Sequence, residues 1–212
     1  MAQSKELYDA ILNGDAKKAH AATEAALATG AEPLQLISES MVPAMDEVGR
    51  LFEAEEYFVP ELLLAGRAMR SALELLRPLM TAAGQKMSTR VVIGTVKGDL
   101  HDIGKNIVGS MLEGSGFEVI DLGADVSPEK FVAAIKERNP QIVCMSALLT
   151  VTMPAMKTTI DAIKTAGLRD NVKVLIGGAP VTSQYAKEIG ADGYSENASA
   201  AVGLVRSLLP AA

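Results

Sequence analysis

Apolar positions in the first third of the chain recur at intervals of three and four. Further on they collect into short runs separated by amphipathic stretches, the mark of alternating strands and helices. From Lys5 to about Met80 the pattern is helical throughout. Leu7, Ile11 and Leu12 share one short face, Ala19, Ala22, Ala26 and Leu27 the next, and Leu34, Ile37, Met41, Met45 and Val48 a longer stripe. Asn13-Gly14-Asp15 and the run from Thr29 to Pro33 divide these helices, and Pro60, tolerated in a first helical turn, opens a fourth. Four helices with short connections predict a small bundle over residues 1–81. The small, polar stretch 82–89 predicts a linker.

Beyond it, strand patterns at Val91–Val96, Phe117–Asp121, Ile142–Met145, Val172–Ile176 and near Gly193 alternate with helical ones. The helices are predicted at Lys105–Gly114, Pro128–Arg138, Met153–Ala166, Val181–Ile189 and Ala198–Leu209. The alternation predicts a five-stranded, doubly wound parallel sheet over residues 90–212. The expected fold class is therefore α/β, an N-terminal four-helix bundle followed by a Rossmann-like domain.

Composition narrows the function classes. With 212 residues the chain can bury one large core or two small ones. A net charge of −6 without any Lys/Arg cluster argues against nucleic acid as a partner. A single Cys excludes an internal disulfide and fits a reducing compartment. No signal-peptide pattern opens the sequence and no apolar run is long enough to span a bilayer, so a cytoplasmic protein with no membrane partner is expected.

Candidate chemistry concentrates in Asp99-Leu100-His101-Asp102-Ile103-Gly104, an imidazole beside a carboxylate in a loop between a predicted strand and a predicted helix. Taken alone, such a histidine fits a metal ligand, a general base or an inert loop residue. Ser146-Ala147-Leu148 and Gly177-Gly178 also follow strand ends. In doubly wound sheets ligands sit at the carboxyl ends of strands near the switch in strand order, so three loops distant in sequence are expected to converge on one binding site.

Asp99, His101 and Gly104, then Ser146 and Leu148, then Gly177 and Gly178 reproduce in order and spacing the D-x-H-x-x-G, S-x-L and G-G signature of cobalamin-binding domains, which hold the corrinoid with its benzimidazole displaced from cobalt. The chain resembles that family over its whole length, and Val48 to Met80 resembles the helical cap of methionine synthase and of small corrinoid proteins in methyltransferase systems. The resemblance implies cobalamin as cofactor and His101 as the lower axial ligand of cobalt. It implies Asp99 as the acceptor that fixes the imidazole tautomer and Thr152 as the hydroxyl completing a relay, where the family often has serine. Gly104, Gly177 and Gly178 would make room for the displaced nucleotide tail. Ser146 and Thr150 would hydrogen-bond its benzimidazole end, Leu148 would wall it, and Ala179, Asn197 and Ala198 would surround it. Asp102 and Ile103 flank His101 and would touch the corrin underside.

The implied function is a methyl carrier that takes a methyl group from a substrate-specific corrinoid methyltransferase and gives it to a second methyltransferase with tetrahydrofolate or a thiol as acceptor, with a reductive activase as a further partner. The carrier is not itself catalytic. The alternative is the small cobalamin-binding subunit of an adenosylcobalamin-dependent mutase, against which the helical first eighty residues argue. A cobalamin-dependent sensor would carry an output module, and none is visible. His20 and Cys144 are expected to be a surface and an inert core residue, and Met41, Met45 and Met69 core positions. Gly94 fits a concession either to the corrin or to a neighbouring helix. Phe58, Leu62, Ala65 and Met69 share one face of the fourth helix, which fits either a lid over the cofactor or the bundle core.

Overall fold

The computed structural model describes residues 4–83 and 89–209. Two compact units arise, Met1–Ser88 with Ser110–Phe117, and Thr89–Gly109 with Glu118–Ala212. Residues 84–88, most of the predicted linker, lie outside the described residues.

The first unit is helical: α1 (Lys5–Leu12), α2 (Ala16–Ala28), α3 (Pro33–Leu36), α4 (Val42–Glu53) and α5 (Val59–Ala82). Ser4 caps α1 by accepting from Leu7 N–H, and Asp15 caps α2 by accepting from Lys18 N–H at 3.0 Å. The stripe from Leu34 to Val48, expected as one helix, is interrupted between α3 and α4 by a π-helical turn, Ile37–Met41. There Val42 N–H bonds the carbonyl of Ile37, one residue further back than in an α-helix. Pro43 explains the turn: it lacks an N–H and its ring would press on the carbonyl four residues earlier, and the extra residue lets the chain pass.

Leu7, Ile11, Met41, Met45, Leu62, Ala65, Met69, Leu73 and Leu76 form the buried core of this unit. Three of the four residues read as a candidate lid face, Leu62, Ala65 and Met69, are therefore core, and Phe58 alone is exposed, at 62 %. The end of the helix Ile103–Gly114 belongs here too: a Cβ at Gly114 would lie 2.7 Å from Met45 Cγ, a closeness only glycine permits.

The second unit holds β1 (Arg90–Thr95), α6 (Ile103–Gly114), β2 (Glu118–Asp121), α7 (Pro128–Arg138), β3 (Ile142–Ser146), α8 (Pro154–Thr165), β4 (Lys173–Gly177), α9 (Ser183–Ile189), β5 (Gly193–Tyr194) and α10 (Ala198–Leu208). The strands are parallel in the order β2-β1-β3-β4-β5. Period-two alternation sends Val92, Val143, Met145, Val174 and Ile176 to one face, where they pack with Phe131 and Ile135 of α7, Met156 and Ile160 of α8, Ile189 of α9 and Val181 just before it. Gly94 is settled by the same layer, because a Cβ there would meet the Phe131 ring at 2.9 Å. No helix among the described residues is long and apolar enough to cross a membrane.

The order reverses at β1. The chain leaves β1 toward β2, then returns past it to β3, so the loops after β1 and β3 open the crevice where doubly wound sheets bind ligands. Thr95, Ser146 and Gly177 are aligned in one rung across β1, β3 and β4. That rung brings the three sequence motifs together.

Candidate functional site

The loop after β1 begins with a turn, Asp99 N–H to Val96 O at 3.1 Å, in which Gly98 has φ +85°. The turn drives Asp99 inward to complete burial. A buried carboxylate is tolerated only with its acceptor capacity filled. Oδ1 accepts from His101 N–H at 3.0 Å and from His101 Nδ1 at 2.8 Å. Oδ2 accepts from Leu148 N–H at 2.8 Å and Thr152 Oγ1 at 2.7 Å, both in the loop after β3. Burial pushes this carboxyl up, but the bonds from His101 N–H, Leu148 N–H, Thr152 and the His101 ring outweigh it and hold it well below the usual carboxylate range.

An ionised Asp99 requires the proton of His101 on Nδ1. In the neutral imidazole Nε2 is then the lone-pair nitrogen, on a side chain 50 % exposed. Thr95, buried on the last rung of β1, donates its hydroxyl to the His101 carbonyl at 2.9 Å and anchors the loop from below. Thr152 Oγ1 also lies 2.8 Å from the Leu149 carbonyl, so its one proton has two acceptors within reach. The set implied by the family resemblance, Asp99, His101 and Thr152, is thus one hydrogen-bonded chain.

Ile103 and Gly104 were expected in the loop; they form the first turn of α6. Asp102 accepts Asn106 N–H at its carbonyl, and helical bonding there brings the start forward by two residues. Ile103 is 71 % exposed, and Leu100, Leu148, Leu149 and Val151 are exposed as well, an apolar collar about the imidazole that no soluble loop needs for folding. A Cβ at Gly104 would meet nothing within 4 Å. Ser146 is half-buried with a hydroxyl that has no hydrogen-bond partner among the described residues, and Thr150 and Ala179 are exposed.

The other glycines serve the backbone. A Cβ at Gly178, where φ is +127°, would overlap the carbonyl of Ala147, and one at Gly177 would lie 3.3 Å from the Ser195 carbonyl oxygen. Gly178 is therefore required by the neighbouring β3 loop itself. Asn197 spends its side-chain oxygen capping α10, accepting from Ala200 N–H at 2.8 Å, and Ala198 is buried.

Two residues went unnoticed in the sequence. Lys105, one helical turn after His101, is a buried ammonium held by Asp121 and, at 2.6 Å, by Asn106 Oδ1. Asp125, in the loop after β2, bonds the turn beneath Asp99. A lysine within an otherwise apolar helix face was the available signal for the first.

Among the described residues no group of three or more His, Cys, Asp or Glu could hold a metal ion. A metal on His101 Nε2 must therefore bring its other ligands with it, which a corrin ring does. The apolar collar, the open space at Gly104 and the idle Ser146 hydroxyl fit such a planar, amphipathic group.

Comparison with known proteins agrees. Models of the B12 binding domain match residues 89–203 and residues 3–86. Trimethylamine corrinoid protein 1 of Methanosarcina acetivorans is 44 % identical over 217 residues, covering 99 % of this chain and 100 % of its own. Dimethylamine corrinoid protein 1 of the same organism is 47 % identical over 180 residues, 84 % of each chain. Among solved structures, the methanol:cobalamin methyltransferase complex MtaBC of Methanosarcina barkeri matches with a TM-score of 0.87 at 30 % identity, over 97 % of this chain and 78 % of that one. A cobalamin-binding protein from Desulfitobacterium hafniense matches with a TM-score of 0.81 at 35 % identity, over 99 % and 100 %. The chain belongs to the B12-binding family, among the corrinoid proteins of methyltransferase systems, and its cofactor is a corrinoid.

Proposed function

We infer that the chain is the methyl carrier of a methylamine-using system, holding its corrinoid with the benzimidazole displaced and His101 Nε2 on cobalt. The observation that carries this reading is the Asp99 contact at 2.8 Å, which commits Nδ1 and leaves Nε2 as the coordinating nitrogen. When bound, the cofactor supplies a cobalt that accepts and releases a methyl group. Leu100, Ile103, Leu148 and Val151 keep water from the lower face, and Ser146 and Thr150 serve as hydrogen-bond partners for the displaced base. Gly104 leaves its tail a path.

Asp99 and Thr152 manage charge. While His101 coordinates, its Nδ1–H rests on an ionised Asp99. Were the imidazole to leave the metal, a proton arriving on Asp99 would be accommodated by Thr152, which can turn its O–H to the Leu149 carbonyl and accept from Asp99 instead.

The names of the relatives support trimethylamine or dimethylamine as the methyl source, delivered by a substrate-specific corrinoid methyltransferase. A second methyltransferase would take the methyl group onward, and a reductive activase would restore the cofactor. The helical match over residues 3–86 favours the carrier over a mutase subunit.

The test is His101→Gly in cobalamin-loaded protein. The visible spectrum should shift to a form without histidine ligation, and added imidazole should restore it. An unchanged spectrum overturns the ligand assignment; a shifted spectrum with no methyl uptake from di- or trimethylamine and a matching methyltransferase overturns the substrate class.

A further inference from the structure

Asp125 has φ +51°, a left-handed conformation that aspartate tolerates better than most residues with a Cβ. Its surroundings are one short piece of chain, 97–99. Asp125 N–H donates to the Asp99 carbonyl at 2.9 Å, and Gly98 N–H donates to Asp125 Oδ1 at 2.8 Å. Lys97 Nζ lies 3.0 Å from the same carboxylate. The lysine pair is largely exposed and contributes little. The other two bonds, one from the Asp125 N–H and one to its side-chain Oδ1, are different in kind: they clamp both sides of the Gly98–Asp99 peptide, in the turn from which Asp99 descends into the core and His101 emerges two residues later.

The loop is thus held on two sides. Asp99 ties it to the loop after β3, while Asp125 ties it to the loop after β2. We propose that Asp125 is a positioning residue for His101, fixing the 97–99 turn so that the imidazole is presented in one place whether or not a ligand is bound. The inference rests on His101 being the cobalt ligand.

The experiment compares Asp125→Gly, Asp125→Asn and His101→Gly in the full-length protein. Glycine relieves the φ while removing the carboxylate, so global unfolding of Asp125→Gly should stay near that of the parent. Backbone hydrogen exchange of its apo-protein at Gly98 and Asp99 should quicken about tenfold, the loss expected when a hydrogen bond to a charged acceptor goes. In the cobalamin-loaded form the histidine-ligated fraction should fall. Asp125→Asn keeps an oxygen for Gly98 N–H and tolerates the left-handed φ, and should restore both readouts. Unchanged exchange in Asp125→Gly overturns the clamp, as does a spectrum that shifts in His101→Gly but not in Asp125→Gly. A spectrum indifferent to His101→Gly overturns the ligand reading itself and, with it, the purpose assigned to the clamp.

Discussion

A single oxygen of Asp99, Oδ1, takes two hydrogen bonds from His101, one from its backbone N–H and one from its ring. The carboxylate therefore fixes both where the residue stands and which of its nitrogens faces outward, while the other oxygen is occupied by residues some fifty positions later.

Asp99→Asn should expose how completely those acceptors are used. An amide nitrogen must face either the His101 donors or the Leu148 and Thr152 donors, so Asn is a shape match with the wrong chemistry. The expected cost is about 1–3 kcal/mol of stability, read by denaturant unfolding. Thr152→Val should cost less, about 1 kcal/mol, because Leu148 N–H still serves Oδ2.

The same carboxyl sets an acid limb. Its folded pKa lies below the unfolded value, so its stabilisation is complete above the unfolded value of about 4 and is lost as pH falls from there through the folded value. The stability gap between the parent and Asp99→Asn should be constant near neutrality and shrink below about pH 4. A gap that widened on acidification would contradict the pairing.

Gly104 and Gly178 should respond in opposite ways. Gly104→Ala places a methyl in open space at the start of a helix and should stabilise the apo-protein by about 0.5–1 kcal/mol. It should weaken corrinoid uptake, since that space is the proposed path of the tail. Gly178→Ala should destabilise the apo-protein itself, through the Ala147 carbonyl and the φ of +127°. Thermal melts without cofactor separate the two.

The Lys105–Asp121 pair should be asymmetric. Lys105→Met removes a buried charge and leaves Asp121, which is half-exposed, to water, so it should be nearly neutral. Asp121→Ala leaves the ammonium with Asn106 alone and should cost more, up to about 3 kcal/mol. Unfolding free energies of the two variants in the opposite order would refute this assignment.

Cys144 lies in the middle of β3, and burial pushes its thiol up to about 12. A thiol reagent at neutral pH should label it only as fast as the second unit opens, and at once in denaturant.

The sheet and its ligand edge were legible because short apolar runs and motif spacing survive as local signals: Ser146 and Gly177 end β3 and β4 in the same rung as Thr95. Thr152 came only through the family resemblance, which implies a hydroxyl six residues after the serine of S-x-L. Periodicity could not say which way a stripe faces, and Leu62, Ala65 and Met69, equally fit for lid or core, turned out to be core. The π-helical turn escaped because a stripe with one extra residue still scans as helix. Residues 110–117 cluster with the helical unit although α6 begins in the other, a division that no break in composition announces. Asp125 was hidden because its bonds run to the backbone of Gly98 and Asp99, and a bond to a backbone group leaves no mark in the identity or spacing of its partner.

The bonds from Leu148 and Thr152 to Asp99 also set an order of events during synthesis. A chain emerging from the ribosome has the whole D-x-H segment some fifty residues before the partners of Asp99 Oδ2 exist. Until β3 has been made and laid beside β1, that carboxylate must stay in water and its histidine loop has half its anchors. On the proposed reading a nascent chain offers no finished seat for a corrinoid, and loading belongs to the end of folding.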